Sequence, residues 1–143
     1  MKSARNTRKA LVVFSDGGDN NSRRNIREIR RLLAETDIQV YAVGIFDQVQ
    51  RPKPTREELS GPIVLDELAL LTGGNHLRAN LTNLSAISEE IGNELRSRYV
   101  LGYYPASEVR DGKYHRVKVT VTSNEQLPDL RISYRPGYYA ASF

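Results

Sequence analysis

The chain has 143 residues, which fits a single domain, and with 39% hydrophobic and 27% charged residues its composition is typical of a globular protein. The absence of cysteine excludes a disulfide scaffold, a thiolate metal site and a cysteine nucleophile in this chain. The formal net charge is +4 and is not concentrated in a tail, and the longest unbroken apolar run, residues 10–14, is too short to cross a bilayer.

The first part of the chain predicts a strand, a helix and a second strand. Residues 10–14 are all apolar, which predicts a short strand buried on both faces, as in parallel sheets. The polar and glycine-rich residues 15–22 predict a loop, and a helix over residues 22–35 follows, with Asn21 or Ser22 as its N-cap. Its apolar face consists of Ile26, Ile29, Leu32 and Leu33. Residues 38–46 predict the second buried strand, so this part forms a parallel crossover unit.

The next part predicts a loop, two helices and a short strand. Residues 48–61 carry two prolines and several charges without periodicity, which predicts an exposed loop. Residues 62–72 predict a helix that ends at Gly73, residues 76–79 a short strand, and residues 84–98 a third helix. The inward-facing residues of the two helices are Leu65, Leu68, Ala69 and Thr72 in the first, and Leu84, Ile87, Ile91 and Leu95 in the second.

The pattern changes from helical to strand-like at residue 99. Residues 99–104, 114–122 and 130–135 predict strands, with a turn at Asp111 and Gly112. Apolar and polar side chains alternate in the last two of these segments, as is typical of antiparallel sheets. We therefore expect residues 1–98 to form an α/β unit and residues 99–143 a β-rich extension packed on the same domain.

The loop after the first strand carries the clearest chemistry. Asp16 follows the strand directly, and Asp19 lies three residues further along. In an open parallel sheet, ligands bind outside the carboxyl ends of the strands, where a carboxylate can hold a hard cation directly or through water. Both residues also fit a purely structural role, in which they cap and turn the chain.

The order of these elements resembles part of a von Willebrand factor type A (vWA) domain. Lys-Ala-Leu-Val-Val-Phe-Ser-Asp-Gly-Gly, residues 9–18, is similar to its fourth strand and the loop that follows. Residues 38–46 resemble its fifth strand, and Leu-Asp-Glu-Leu-Ala-Leu-Leu-Thr-Gly-Gly, residues 65–74, resembles the next helix and its end. The tail, with Tyr-Val-Leu-Gly-Tyr-Tyr-Pro, Val-Lys-Val-Thr and Tyr-Arg-Pro-Gly-Tyr-Tyr, resembles the bacterial VWFA-related branch.

The resemblance implies a Rossmann-like three-layer fold, here partial, with a parallel sheet and an appended antiparallel β segment. It implies a location outside the cytoplasm or in the cell envelope. It also implies a metal-ion-dependent adhesion site for Mg²⁺, Mn²⁺ or Ca²⁺, built from three loops. Only the third loop has a counterpart, at Asp16, while the Asp-x-Ser-x-Ser loop and the threonine loop have none, so the chain corresponds to the C-terminal half of such a domain.

We expect an incomplete metal site for this reason. Mg²⁺ requires near-octahedral oxygen ligation, and Asp16 and Asp19 alone form at most a weak site. The chain by itself is expected to hold no cofactor, whereas a full-length protein could hold Mg²⁺, Mn²⁺ or Ca²⁺.

The absent half of the sheet also affects the strand of residues 10–14. In the vWA order this strand pairs on its second side with the missing first strand, so an apolar edge remains open. We expect a homodimer, or a strand exchange, through the edge of residues 10–14. Alternatively, the β-rich tail folds back over this edge.

The remaining motifs favour binding over catalysis. The arginines of the first helix lie away from its apolar stripe and fit a solvated face, since no nucleic-acid-binding motif accompanies them; they are Arg23, Arg27, Arg30 and Arg31. The chain contains neither a phosphate-binding loop nor a nucleophile elbow. We expect a non-enzymatic protein-interaction or adhesion-type module with an unidentified protein ligand, without nucleic acid and without a membrane span. The alternative is an α/β hydrolase or phosphotransfer enzyme that uses Asp16 as a metal- or phosphate-handling carboxylate.

Overall fold

A three-stranded parallel sheet lies at the centre of the computed structural model, which describes residues 9–15, 25–45, 56–80, 82–104, 110–122 and 132–142. Its strands are β1 (Lys9–Ser15), β2 (Ile38–Ile45) and β3 (His76–Ala79), in the order β1-β2-β3. The helices are α1 (Ile26–Ala34), α2 (Arg56–Leu71) and α3 (Leu84–Arg96). Strand and helix alternate along the chain, which is the pattern that parallel pairing requires.

The side chains of β2 point alternately to the two faces of the sheet, and each face forms a hydrophobic core with a helix. The core between the sheet and α3 consists of Tyr41, Val43, Ala79, Ile87 and Ile91. The core on the other face consists of Ala42 together with Leu65 and Ala69 of α2. The described chain is therefore an α/β fold with a parallel sheet between helices, as the sequence predicts, and a small antiparallel pair is added to it.

Helix α1 begins at a different cap from the predicted one. Asn25 has extended backbone angles, and its Oδ1 accepts a hydrogen bond from the Glu28 N–H at 3.0 Å. This bond satisfies one of the free N–H groups of the first turn and starts the helix at Ile26. The prediction of Asn21 or Ser22 as the cap is therefore wrong, because an equally good capping amide lies further along the chain.

Helix α2 extends beyond the predicted bounds at its first end. It starts at Arg56 rather than at residue 62, so Pro62 lies inside the helix and the predicted loop over residues 48–61 is wrong from residue 56 onward. Packing of Leu65 and Ala69 against β2 stabilises the helix and outweighs the hydrogen bond that Pro62 cannot make. The predicted end is confirmed, since Gly73 has a φ of 73°.

The tail contains less sheet than its alternating pattern predicts. Its two strands, β4 (Tyr114–Arg116) and β5 (Gly137–Tyr139), pair antiparallel, and Gly112 forms the predicted turn with a φ of 65°. The strand predictions for residues 99–104, for residues 117–122 and for the described part of residues 130–135 are wrong. Alternation indicates that a segment fits a pleated surface, but it does not provide the partner strand that pairing requires.

Candidate functional site

The carboxyl edge of the parallel sheet is where the sequence places its candidate metal ligands. β1 ends at Ser15, in register with Gly44 of β2, and the chain continues from there to Asp16. Asp16 and Asp19 lie outside the described residues, so their predicted role as metal ligands stays a prediction. Within the described ranges, no group of three or more His, Asp or Glu side chains could hold a metal ion.

The polar residues that follow β3 at this edge are engaged with one another. Asn80 Oδ1 accepts hydrogen bonds from the N–H groups of Thr82 at 2.9 Å and Asn83 at 3.0 Å, and a third from the Thr82 hydroxyl at 2.7 Å. Asn83 Oδ1 accepts one from the Asn80 N–H at 2.7 Å. These bonds form a turn that leads into α3, which explains the residues as the start of a helix rather than as metal ligands.

We expect no micromolar binding of Mg²⁺ or Mn²⁺ to this polypeptide, since two carboxylates with water bind such ions weakly. Isothermal titration calorimetry with each metal measures this directly, and Asp16→Ala is the matched control. Micromolar binding that disappears in Asp16→Ala would show that the chain completes the site with residues that the sequence does not identify.

Strand β1 has a neighbour on one side only. It pairs with β2 over its whole length, from Lys9 opposite Ile38 to Ser15 opposite Gly44, and it is the terminal strand of the sheet. Its second edge has no strand partner in the part of the chain that the structure describes. The described strands of the tail pair with each other and not with β1. The prediction that residues 10–14 are buried on both faces is wrong for one face, where Val12 and Phe14 are exposed.

Two apolar side chains of β1 are exposed next to this edge. Val12 is 38% and Phe14 54% exposed, whereas their register partners in β2, Tyr41 and Val43, are at most 1% exposed. Since paired residues share one face of a sheet, Val12 and Phe14 lie on the face that α3 packs against, but beyond the area that α3 covers. Along residues 10–14, the edge therefore combines a backbone without a strand partner among the described residues with uncovered apolar side chains.

A second exposed apolar feature follows α3. Residues 99–104, here called the apolar segment, belong to no helix or strand. The exposed fractions of its large side chains are 91% for Tyr99, 75% for Val100, 75% for Leu101, 58% for Tyr103 and 101% for Tyr104. Partial desolvation and the neighbouring Tyr138 of β5 raise the pKa of Tyr103, which places this residue against the tail. Contiguous apolar surface of this kind indicates an interaction site.

Arg135 joins the tail to the α/β part of the molecule. Its guanidinium donates hydrogen bonds to the carbonyl oxygens of Ala34, at 3.2 Å, and of Thr36, so that a cation lies at the C-terminal end of α1. Its backbone passes so close to Gly73 that a Cβ there would lie 2.7 Å from the Arg135 N. Both contacts lie just before β2 and β3 begin, so this part of the tail docks at the amino edge of the sheet, opposite Ser15.

Sequence reasoning missed the role of Arg135 and had no means of finding it. The residue appears in the sequence as one polar member of an alternating segment, and its two acceptors lie 101 and 99 residues earlier in the chain. No local pattern indicates a contact of that separation.

Two arginines of α1 form ion pairs. Arg30 Nη2 lies 2.6 Å from Glu67 Oε2 of α2, and Arg31 Nε lies 2.9 Å from Glu35 Oε1. The first pair joins two helices on one face of the sheet. The second pair joins residues one turn apart at the end of α1, and both arginines are exposed enough for solvent to weaken these pairs.

Both histidines make contacts within the chain. His76 is nearly buried, with Nδ1 3.8 Å from Asp66 Oδ1, and burial lowers its pKa although Asp66 opposes the effect. His115 Nε2 lies 3.0 Å from Asp111 Oδ1, and its ring stacks on Tyr138. The hydrogen bond with His115, together with the Lys113 N–H, lowers the pKa of Asp111. These contacts join the turn at Gly112 to β4 and β5.

Comparisons with known proteins show a distant similarity to one solved structure. No family model matches the chain, and no curated protein gives a significant match. A crystal structure of an uncharacterised membrane-spanning protein from Vibrio fischeri is similar, with 23% identity and a TM-score of 0.49, covering 61% of this chain and 47% of that protein. Within the described ranges, no helix of the present chain has the length and apolar character to cross a membrane. The chain spans about half the length of the Vibrio fischeri protein, and a likeness at this level carries no conclusion about function.

Proposed function

We propose that this chain is a non-enzymatic protein-interaction module of the vWA type, which binds through the free edge of β1 and forms a homodimer there. The observation that carries the proposal is that β1 pairs with one strand among the residues the structure describes, while Val12 and Phe14 beside its other edge are exposed. Open apolar edges of this kind are where proteins add a strand from another chain.

Strand addition accounts for both properties of the edge. A strand placed along residues 10–14 pairs with backbone N–H and C=O groups on the side of β1 that has no strand partner in the described chain, and its side chains cover Val12 and Phe14. Burial of apolar area contributes about 25 cal/mol per Å². Residues 10–14 carry no charge, so two copies with a net charge of +4 each can approach here without direct repulsion between side chains.

The position of the tail also supports the vWA type. In that type, Asp16 is the third-loop residue of a metal site at the carboxyl edge. Arg135 docks the described part of the tail at the amino edge, which is the opposite end of the strands. The arrangement keeps these tail residues away from the carboxyl edge of the sheet, where the metal site of a vWA domain lies.

The homodimer is tested by measuring the molar mass by light scattering over a concentration series up to the high micromolar range. We expect the native protein to be dimeric and Val12→Lys to be monomeric, because a lysine beside the edge places two like charges at the interface. Ile63→Lys is the matched control, since Ile63 of α2 is exposed and apolar but lies in a helix. It should leave the dimer intact.

Two results would contradict the proposal. A native protein that stays monomeric overturns the homodimer, and a dimer that is lost in Ile63→Lys but not in Val12→Lys moves the interface to α2. Hydrolysis of generic phosphate or ester substrates that Asp16→Asn abolishes would establish the enzyme alternative instead of a binding module.

A further inference from the structure

The large side chains of the apolar segment are not packed into the core of their own chain. Its large side chains are more than half exposed, and none of its residues is in a helix or a strand. Only Tyr103 is less exposed than its neighbours, through its contact with Tyr138. A stretch of three tyrosines, a leucine and a valine in this state lacks the burial that folding normally provides.

We propose that the apolar segment of one copy is the strand that occupies the free edge of β1 in a second copy, and that the exchange is reciprocal. This inference rests on the proposed function and names the partner of the β1 edge. In a reciprocal exchange, each copy gives one strand and receives one, so the interface is two-fold symmetric and closed.

The segment and the edge match in length and pattern. The segment has six residues and β1 has seven, and both consist mainly of apolar and aromatic residues. Alternation along a strand would place Tyr99, Leu101 and Tyr103 on one face of the enlarged sheet. Where that face is the one that α3 covers in part, this row packs beside Val12 and Phe14 and buries part of their exposed surface.

Gly102 provides an independent argument for an external partner. Among the described residues, a Cβ added at Gly102 would meet no atom within 4 Å, so the described fold does not require a glycine there. The buried glycines of the fold differ, since Gly74 and Gly137 lie against backbone atoms of neighbouring strands. A glycine within a strand often marks the close approach of another backbone, and at Gly102 that backbone belongs to the partner.

The area available is what a stable dimer needs. A tyrosine buries about 150–250 Å² when it is covered, so six tyrosines from two copies contribute roughly 900–1,500 Å². Stable interfaces bury about 1,200–2,000 Å² in total, and the surface of β1 supplies the remainder. One non-reciprocal contact would supply only half of this area. The segment is also uncharged, like residues 10–14, so two positively charged copies can meet through these neutral surfaces.

The exchange is tested with two variants that disable opposite halves of the contact. Val12→Lys disables the edge and Leu101→Lys disables the segment. Both sites are exposed, so each variant should keep the circular dichroism spectrum of a folded protein, while its unfolding midpoint falls by the stability that the dimer contributes. We expect each variant alone to be monomeric. A mixture should form a one-to-one heterodimer, because the intact segment of the first fits the intact edge of the second. Its affinity should be weaker than that of the native dimer by roughly a hundredfold or more, since one contact replaces two.

A synthetic peptide of residues 98–104 supplies a second measurement. It should bind Leu101→Lys, which keeps the edge, and should not bind Val12→Lys. If Leu101→Lys stays dimeric while Val12→Lys is monomeric, β1 pairs with β1 of the second copy, and the exchange is overturned while the proposed function stands. If Val12→Lys stays dimeric, the proposed function itself fails. If both variants are monomeric but neither the mixture nor the peptide binds, the exchange is likewise overturned.

Discussion

Replacing Gly74 with alanine should destabilise the protein by more than about 4 kcal/mol, which approaches the whole stability of an ordinary domain. An alanine Cβ at this position would lie 1.8 Å from the carbonyl oxygen of Val40 and 2.7 Å from its carbonyl carbon. These are backbone atoms of the central strand β2, which cannot move without disturbing both cores. The same region holds the bond from the Val40 N–H to the Thr72 hydroxyl oxygen at 2.9 Å, which a shift of β2 would also break.

The matched control makes the same chemical change where the structure has room. Gly102→Ala adds a Cβ that meets nothing within 4 Å, and we expect its unfolding free energy to stay within about 0.5 kcal/mol of the parent value. Both changes are best made in the Val12→Lys background, so that association does not enter the measurement. Urea unfolding followed by circular dichroism compares them. An unchanged midpoint for Gly74→Ala would mean that β2 and this turn lie further apart than the structure shows.

Replacing Arg135 with alanine should destabilise the protein by about 2–4 kcal/mol. The change removes two charge-assisted hydrogen bonds, to the carbonyl oxygens of Ala34 and Thr36, and leaves the end of α1 without its cation. It also detaches the tail from the α/β part at this point. We therefore expect faster proteolysis of residues 132–142 in addition to the loss of stability, and the two effects can be measured separately.

Two further variants separate the effect of the two Arg135 hydrogen bonds from a general effect of positive charge. Arg116→Ala removes an exposed arginine of β4 and should change the unfolding free energy by less than about 0.5 kcal/mol. Arg135→Lys keeps the charge but not the planar fork that reaches two carbonyl groups, so it should recover about half of the loss. Equal unfolding free energies of Arg135→Ala and Arg116→Ala would show that the hydrogen bonds from Arg135 to Ala34 and Thr36 do not stabilise the protein.

The α/β part could be predicted from the sequence because its signals are local and repeated. The bounds of β2 and β3 agree with the predicted strands to within one residue, and α3 starts at the predicted Leu84. The inward stripe of α3 is confirmed in the core, where Ile87 and Ile91 are buried. Helix starts were less predictable, since several residues before α1 can serve as a cap and only the folded chain shows that Asn25 does.

The tail could not be predicted to the same degree. Its alternating residues predict strands, yet only Tyr114–Arg116 and Gly137–Tyr139 pair. Pairing at that position depends on Gly137, where a Cβ would lie 2.3 Å from the carbonyl oxygen of His115. Such a requirement concerns two segments far apart in sequence, and neither one alone reveals it.

The candidate site divides in the same way. The sequence by itself shows that Asp16 follows the first predicted strand and that residues 10–14 are apolar. It also shows no Asp-x-Ser-x-Ser motif. Tertiary structure alone decided that α3 leaves Val12 and Phe14 uncovered and that Arg135 holds the tail at the amino edge. The reason is physical, because periodicity and turn chemistry act over a few residues. The exposure of Val12 and Phe14 and the hydrogen bonds of Arg135 depend on which distant segments pack together, and no local sequence pattern specifies that packing.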